Sequence, residues 1–227
     1  MRVLRGRAAT VDADRERTGA MLTRTGETGE PAVRVWTPHR QVAFGRRDAV
    51  EPGYDRARAA ARERGFEPVE RRVGGRAAAY TGSTLAFAHA VPVDDARTGL
   101  HDRYEAATER VRRALADFGI DATPGEPAAS FCPGTHSLQA AGKVAGIAQR
   151  VRADAALVAG CVVVADRDEL ASVLAAVYDA LDQPFDPGSV GSVAAAGGPA
   201  DAGQVRDAVE RALVGDDPTT VERVGAA

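Results

Sequence analysis

The stretch FCPGTHSLQAAGKVAGIAQR, residues 131–150, holds the signals from which the fold is inferred. Three prolines between residues 124 and 133 indicate a loop, and the pair Pro133-Gly134 predicts a tight turn. Apolar residues follow Lys143, and a second apolar run surrounds Cys161, so each segment is predicted to form a strand. A loop followed by two consecutive strands indicates a sheet at this point of the chain.

Outside this stretch, helical and strand patterns mix without strict alternation. Apolar periodicity and flanking glycines or prolines predict helices over residues 12–24, 54–64, 100–118, 168–181 and 203–214. Alternating residues predict strands over residues 32–37, 41–44 and 84–91, with an extended segment over 66–73. This mixture predicts a single α+β domain, residues 1–227, with a mixed, mostly antiparallel sheet flanked by helices.

The composition excludes several classes of protein. A net charge of -3 leaves no broad basic surface for nucleic acid. The uncharged run over residues 155–165 is too short to cross a membrane, and charged side chains near the start argue against a signal peptide. Two cysteines argue against a disulfide framework, and four scattered histidines give no zinc spacing. We therefore expect a cytoplasmic protein without a metal site.

The cationic residues are distributed unevenly between the two types. The chain has 29 cationic residues in total, and Lys143 is the one lysine among them. An ammonium is a compact point charge, whereas a guanidinium is a planar fork, so the two are not interchangeable. The single lysine either marks a site that requires an ammonium or is a chance survivor in an arginine-rich chain.

Two motifs are candidates for chemistry. In residues 71–77, RRVGGRA, a pair of glycines would let a ligand approach the backbone, although such a pair is also common in turns. Cys132 is flanked by loop residues, which suits an accessible thiol, whereas Cys161 is predicted to lie in the core. An ammonium from Lys143 near Cys132 would favour the nucleophilic thiolate or bind a thioester carbonyl. His136 could assist deprotonation but is more simply explained without a catalytic role.

The same residues resemble the lipoate-protein ligase, octanoyltransferase and biotin ligase superfamily. Residues 71–77 and GKVAGIAQR, residues 142–150, are similar to its two signature segments. FCPGTHSL, residues 131–138, is similar to the Y-C-P-G-x-Y-D-L segment of the cysteine-dependent octanoyl amidotransferases. VRVWTPHRQVAFGRRD, residues 33–48, resembles the W-x-P…G-R strand pair that precedes the glycines. The resemblance spans residues 33–164 and implies the catalytic fold of the class II biotin/lipoyl ligases.

The resemblance also implies an activity. Such an acyltransferase attaches an octanoyl or lipoyl group to the acceptor lysine of a lipoyl domain, in lipoate metabolism. Cys132 matches the nucleophile that holds the acyl group as a thioester, and Lys143 matches the lysine that contacts the acyl carbonyl. The implied substrate-binding residues are Arg72, Gly74, Gly75, Arg76, Ala77 and Gly146. The implied partners are an octanoyl or lipoyl donor and lipoyl-domain proteins, namely the glycine cleavage H protein and the E2 subunits of 2-oxoacid dehydrogenases.

Two other activities remain open within this resemblance. One is an ATP-dependent lipoate-protein ligase that acts through lipoyl-AMP with ATP and Mg, with or without a separate accessory subunit. The other is a non-catalytic lipoyl-domain binder. The ligases carry an acidic residue where Ser137 stands and a His-Asp-x-Gly-Asn run where residues 80–84 read YTGST. These departures favour the transferase, for which the resemblance implies no cofactor.

Overall fold

Two sheets and five helices make up the computed structural model over residues 1–71 and 74–225, which are the residues that the structure describes. The strands are β1 (Arg2–Arg5), β2 (Ala32–Trp36), β3 (Gln41–Phe44), β4 (Glu67–Glu70), β5 (Ala78–Tyr80), β6 (Leu85–Pro92), β7 (Thr123–Pro124), β8 (Ser137–Gln139), β9 (Lys143–Val151), β10 (Ala155–Val162) and β11 (Thr220–Arg223). The helices are α1 (Val11–Thr28), α2 (Tyr54–Glu63), α3 (Leu100–Ala116), α4 (Arg167–Ala180) and α5 (Ala202–Val214), and a 3-10 turn spans Pro187–Ser189.

The large sheet is mixed and mostly antiparallel. Its strand order is β11-β1-β2-β6-β10-β9-β8-β7, and only the pairs β11–β1 and β1–β2 among the described strands are parallel. The small sheet has the order β4-β3-β5, with β3 parallel to β4 and antiparallel to β5. The predicted α+β class with a mixed, mostly antiparallel sheet flanked by helices is therefore confirmed.

The predicted helices are all present, with different ends. The first runs over Val11–Thr28, four residues past its predicted end, because Thr10 caps its start and Gly29 ends it in the left-handed conformation. The predicted extended segment over residues 66–73 yields only β4, and residues 72–73 lie outside the described residues. Strands β1, β5, β7, β8 and β11 were not predicted, because segments of two to four residues are too short to show a period.

The core lies on both faces of the large sheet. Because side chains alternate along a strand, Val33 and Val35 face the cluster beneath α3 and α5, whereas Ala32 faces the cluster beneath α1. A third cluster joins α2, α4 and the small sheet, and it includes Phe131 from the loop before β8. Burial of Phe131 therefore anchors that loop between the large sheet and the small one.

None of the helices in the described part of the chain combines the length and the apolar character that crossing a membrane requires.

Candidate active site

Lys143 begins β9 with its side chain turned into the protein. It follows Gly142, whose φ of +105° and close contact with Gly191 leave no room for a side chain, since a Cβ would lie 2.6 Å from the Gly191 nitrogen. The Lys143 residue is only 2% exposed. Its Nζ donates to Glu126 Oε1 at 2.7 Å and to the carbonyl oxygens of Phe131 and Cys132, both at 2.9 Å. All three ammonium protons are therefore used within the protein.

Glu126 accepts hydrogen bonds from three positions along the cysteine loop, which we define as residues 126–137. Its carboxylate accepts from the Ser137 hydroxyl at 2.6 Å, from the Gly134 N–H at 3.0 Å and from the Ser130 hydroxyl. Burial acts to raise the pKa of Glu126, but the hydrogen bonds from Lys143, Ser130, Ser137 and Gly134 hold it below its ordinary value. One carboxylate thus ties both ends of the loop to the buried ammonium.

Cys132 lies in the middle of this loop in an unusual backbone conformation. It is half-buried, and its φ is +42°, which non-glycine residues rarely adopt. Its N–H donates to the hydroxyl of Tyr178 at 2.6 Å, and that hydroxyl donates to the carbonyl of Ala77 at 2.9 Å. Tyr178 on α4 therefore fixes the cysteine backbone and joins it to the segment after the paired glycines.

The paired glycines approach the sulfur through the backbone. A Cβ on Gly75, whose φ is +91°, would lie 2.9 Å from the Cys132 sulfur and 3.2 Å from Arg71 Nη2. A Cβ on Gly45 would overlap the carbonyl oxygen of Gly75, so both glycines are needed for this approach. Gly45, which directly follows β3, and the glycine segment, which we define as residues 74–77, therefore meet beside the thiol.

Arg71 also reaches the sulfur. Its backbone N–H donates to the Phe44 carbonyl at 2.9 Å, which fixes the residue just after β4. Its Nη2 lies 3.0 Å from Cys132 Sγ and donates to the carbonyl of Arg76 as well. The guanidinium thus links the glycine segment to the cysteine loop.

The predicted site residues fall into two groups. Cys132, Lys143 and Gly75 come together, and Gly146 lies beside Lys143, since a Cβ there would be 3.4 Å from its Cε. Ala77 contributes its carbonyl through Tyr178.

The other predicted residues are placed differently. The guanidinium of Arg76 turns to Glu51 at 2.7 Å and to Asp48 at 3.3 Å. A Cβ on the exposed Gly74 would meet no atom within 4 Å. Arg72 lies outside the described residues. A substrate-binding role for these three residues stays a prediction.

Two further candidates have simple structural roles. Cys161 is buried opposite Gly146 in the register of β9 and β10, and burial raises the pKa of its thiol, so its predicted place in the core is confirmed. The ring of His136 stacks on Tyr104, with ring centroids 3.7 Å apart and planes 8° apart. Burial lowers the pKa of His136, which favours a neutral ring at physiological pH.

Three residues of the site had not been identified from the sequence. Arg71 belonged to a quoted motif, but the resemblance pointed to its neighbour Arg72. Glu126 lies in a Pro-Gly-Glu-Pro turn, where an acidic residue is unremarkable. Tyr178 is 46 residues from Cys132 on the buried face of a helix, and no local pattern marks it.

The site offers a poor set of ligands for a divalent metal. Over residues 1–71 and 74–225, no group of three or more His, Cys, Asp or Glu side chains lies close enough together to hold an ion. Beside Lys143 stands one carboxylate, Glu126, and both of its oxygens already accept hydrogen bonds. Glu126 therefore offers no unengaged oxygen to a divalent metal beside Lys143.

Curated relatives of this sequence share one name. Octanoyl-[GcvH]:protein N-octanoyltransferase from Exiguobacterium sibiricum is 35% identical over 120 residues, which are 52% of this chain and 44% of that protein. The protein of the same name from Kyrpidia tusciae is 32% identical over 149 residues, which are 65% of this chain and 51% of that protein. The chain thus spans about half the length of the curated relatives it matches.

Solved structures with the same fold include lipoate-protein ligases. A lipoate-protein ligase A bound with ATP superposes with a TM-score of 0.79 at 21% identity, covering 99% of this chain and 89% of that one. A lipoate protein ligase of Thermoplasma acidophilum with bound lipoic acid gives 0.75 at 20% identity, covering 99% and 90%. The family model of the lipoyl protein ligase A/B catalytic domain matches residues 17–214. The protein therefore belongs to the lipoyl protein ligase A/B catalytic domain family.

Proposed function

We propose that this protein is an acyltransferase that attaches an octanoyl or lipoyl group to the acceptor lysine of a lipoyl domain through a thioester on Cys132. The observation that carries the proposal is the fixed, half-buried Cys132, whose sulfur lies against Gly75 and Arg71 in a loop held by Lys143. A loop thiol fixed in this way by buried hydrogen bonds is suited to nucleophilic catalysis. The names of the curated relatives support the same activity.

The reaction is a double displacement. The thiolate of Cys132 attacks the acyl carbonyl carbon, a carbon–sulfur bond forms, and the leaving group of the donor departs and takes up one proton. The amine of the acceptor lysine then attacks the thioester, an amide bond forms, the carbon–sulfur bond breaks and the sulfur leaves as a thiolate. The proton lost by the amine balances the proton gained by the leaving group.

Lys143 has two roles in this proposal. Through the carbonyls of Phe131 and Cys132 it fixes the loop that carries the thiol. As an ammonium next to Cys132, it polarises the acyl carbonyl when one of these carbonyls gives up its hydrogen bond to the substrate. The backbone of Gly74, Gly75 and Ala77 lines the acyl pocket with Gly146, and Arg76 borders it. Arg72, which lies outside the described residues, stays a predicted substrate-binding residue.

The names of the relatives support the proposed substrates. The named relatives act between octanoyl-GcvH and a protein, so we propose an acylated lipoyl-domain protein as donor. The acceptor is a second lipoyl-domain protein, either the glycine cleavage H protein or an E2 subunit of a 2-oxoacid dehydrogenase. One solved neighbour is a bi-partite lipoate protein ligase studied with its E2 lipoyl domain. The proposed transfer proceeds in the cytoplasm without nucleotide, metal, nucleic acid or membrane.

Intact-mass analysis tests the covalent step. After incubation with an octanoylated donor protein, we expect one octanoyl adduct on the wild-type chain and none on Cys132→Ser, with Cys161→Ser as the matched control that keeps the adduct. A wild-type chain without an adduct would contradict the proposal, and so would an adduct that persists in Cys132→Ser.

An ATP-dependent lipoate ligase is the second candidate, because solved structures of this fold include ligases. Its nucleotide would need Mg, which the engaged oxygens of Glu126 do not fit. Lipoate-dependent release of pyrophosphate, retained in Cys132→Ala, would establish the ligase and reject the thioester. Binding of a lipoyl domain without turnover on either donor would indicate a non-catalytic binder.

A further inference from the structure

Within the described residues, Arg71 is the cationic side chain that touches the reactive sulfur. Its Nη2 lies 3.0 Å from Cys132 Sγ. A guanidinium only donates hydrogen bonds, so the sulfur is the acceptor. An anionic sulfur accepts such a bond far better than a neutral thiol does, and the bond between two charged groups is the stronger one.

Among the described residues, no carboxylate lies within salt-bridge distance of the Arg71 guanidinium. Burial acts to lower the pKa of Arg71, but the nearby Cys132, Tyr80 and Cys161 groups raise it above its ordinary value. The charge of Arg71 also acts to lower the pKa of Asp48, whose carboxylate is hydrogen-bonded to Arg76 and not to Arg71. Its Nε is buried without a hydrogen-bond partner among residues 1–71 and 74–225. The titratable or charged groups that face this corner of the site from the neighbouring elements are Asp48, Tyr80, Glu126, Lys143, Cys161 and Tyr178. A partly buried guanidinium with no hydrogen-bonded carboxylate favours an anion at its contact atom, so a negative sulfur is favoured at this position.

Lys143 does not supply this charge. Its ammonium is paired with Glu126 and with two backbone carbonyls, and its three protons are engaged. The two cations therefore have different roles, since Lys143 holds the cysteine loop and Arg71 contacts the sulfur.

We propose that Arg71 is a catalytic residue that stabilises the anionic sulfur of Cys132 before acylation and again when the acceptor amine displaces it. Its place in turnover rests on the proposed acyl transfer. In the first step the thiolate electron pair forms the carbon–sulfur bond, and in the second that pair returns to sulfur. The negative charge appears both times on the atom that Arg71 Nη2 contacts.

The rate of alkylation of Cys132 by iodoacetamide tests this role without any acyl donor. It is measured from pH 5 to about pH 10 on the peptide that contains Cys132, which separates it from Cys161. We compare the wild-type chain with Arg71→Met, with Arg71→Gln as a second neutral variant, and with Arg40→Met. Arg40 is a matched control because its guanidinium pairs with Glu169 at the surface.

At pH 7 we expect both neutral variants to react about tenfold more slowly than wild type, because the lost cation–thiolate bond lowers the thiolate fraction. The difference should shrink toward pH 10, and Arg40→Met should follow wild type at every pH. Equal rates at pH 7 in a folded variant would overturn the proposal, and so would a slowing by the same factor at every pH. If the wild-type chain and the variants show the expected alkylation profiles but the wild-type chain transfers no octanoyl group, the result contradicts the proposed function and leaves the role of Arg71 intact.

Discussion

The cysteine loop and the glycine segment meet at the same sulfur but are held in different ways. The cysteine loop is fixed by side chains, since Glu126 accepts from Ser137, the Gly134 N–H and the Lys143 ammonium. The glycine segment is fixed mainly by backbone contact, since its approach to Cys132 depends on the missing Cβ atoms of Gly45 and Gly75. A polar network tolerates loss of charge poorly, whereas a close backbone contact tolerates added volume poorly.

Each region is therefore sensitive to a different kind of change, and Tyr178 connects the two. Its hydroxyl accepts from the cysteine loop at Cys132 and donates to the glycine segment at Ala77. The following variants separate charge, volume and this connection.

The largest effect is expected from Lys143→Met. It removes the ammonium that pairs with the Glu126 carboxylate and donates to the carbonyls of Phe131 and Cys132, and removing one partner of a buried pair costs on the order of 3 kcal/mol. Displacement of the thiol should slow acylation of Cys132 by about 100-fold. Urea unfolding and single-turnover acylation measure both effects.

The double variant Glu126→Gln/Lys143→Met is the control for this pair. We expect it to lose less stability than the sum of the two single variants, because neither group is then left charged and alone. Wild-type stability and acylation in Lys143→Met would refute the dependence of the loop on the ammonium.

The glycine segment should respond to added volume at Gly75. Gly75→Ala places a Cβ 2.9 Å from the sulfur at a φ of +91°, so it should cost about 1–3 kcal/mol and slow acylation by about tenfold or more. Gly82→Ala is the matched control, because a Cβ there meets no atom within 4 Å and Gly82 has no role in the proposed site. Equal acylation rates in the two variants would show that the close approach of Gly75 is unimportant.

Removing one hydroxyl should weaken the connection between the two regions. Tyr178→Phe leaves the Cys132 N–H and the Ala77 carbonyl without a partner, which should cost about 1–3 kcal/mol and slow acylation severalfold. Tyr54→Phe is the control, since Tyr54 packs edge-on against Phe44 through its ring at 5.3 Å. Thermal unfolding and single-turnover assays compare them, and identical behaviour of the two variants would argue against the connection.

The smallest effect is a change in pH dependence. The folded pKa of Glu126 lies below its unfolded value, so its ionised form stabilises the protein above the ordinary carboxyl range, and this stability is lost as pH falls through the lowered pKa. Glu126→Gln should therefore flatten the fall in unfolding free energy below about pH 5. Burial lowers the pKa of His89 to about 4, so His89 also changes the stability at low pH. This contribution is the same in wild type and in Glu126→Gln, and it cancels when their unfolding free energies are subtracted. Urea unfolding of both proteins between pH 7 and 3.5 measures this effect. If their unfolding free energies fell in parallel with pH, the prediction would be contradicted.

The local features of the site could be predicted because they depend on neighbouring residues. The helices follow apolar periodicity, and the loop around Cys132 follows its prolines. The strand that begins at Lys143 follows the apolar run after Gly142. The short strands β1, β7 and β11, which lie at or next to the edges of the large sheet, could not be predicted, since their pairing depends on partners that are not their neighbours in sequence.

By itself, the sequence determined the α+β class, the position of Cys132 in a loop and the identity of Lys143 as the one lysine of the chain. Only the tertiary structure decided which side chains meet the sulfur and its backbone. Arg71 is 61 residues from Cys132, and Tyr178 is 46 residues away. Hydrogen bonds across such separations depend on the path of the folded chain and leave no periodic trace in the sequence. The structure therefore placed Arg71 on the sulfur, where the sequence had directed attention to Arg72 and Lys143.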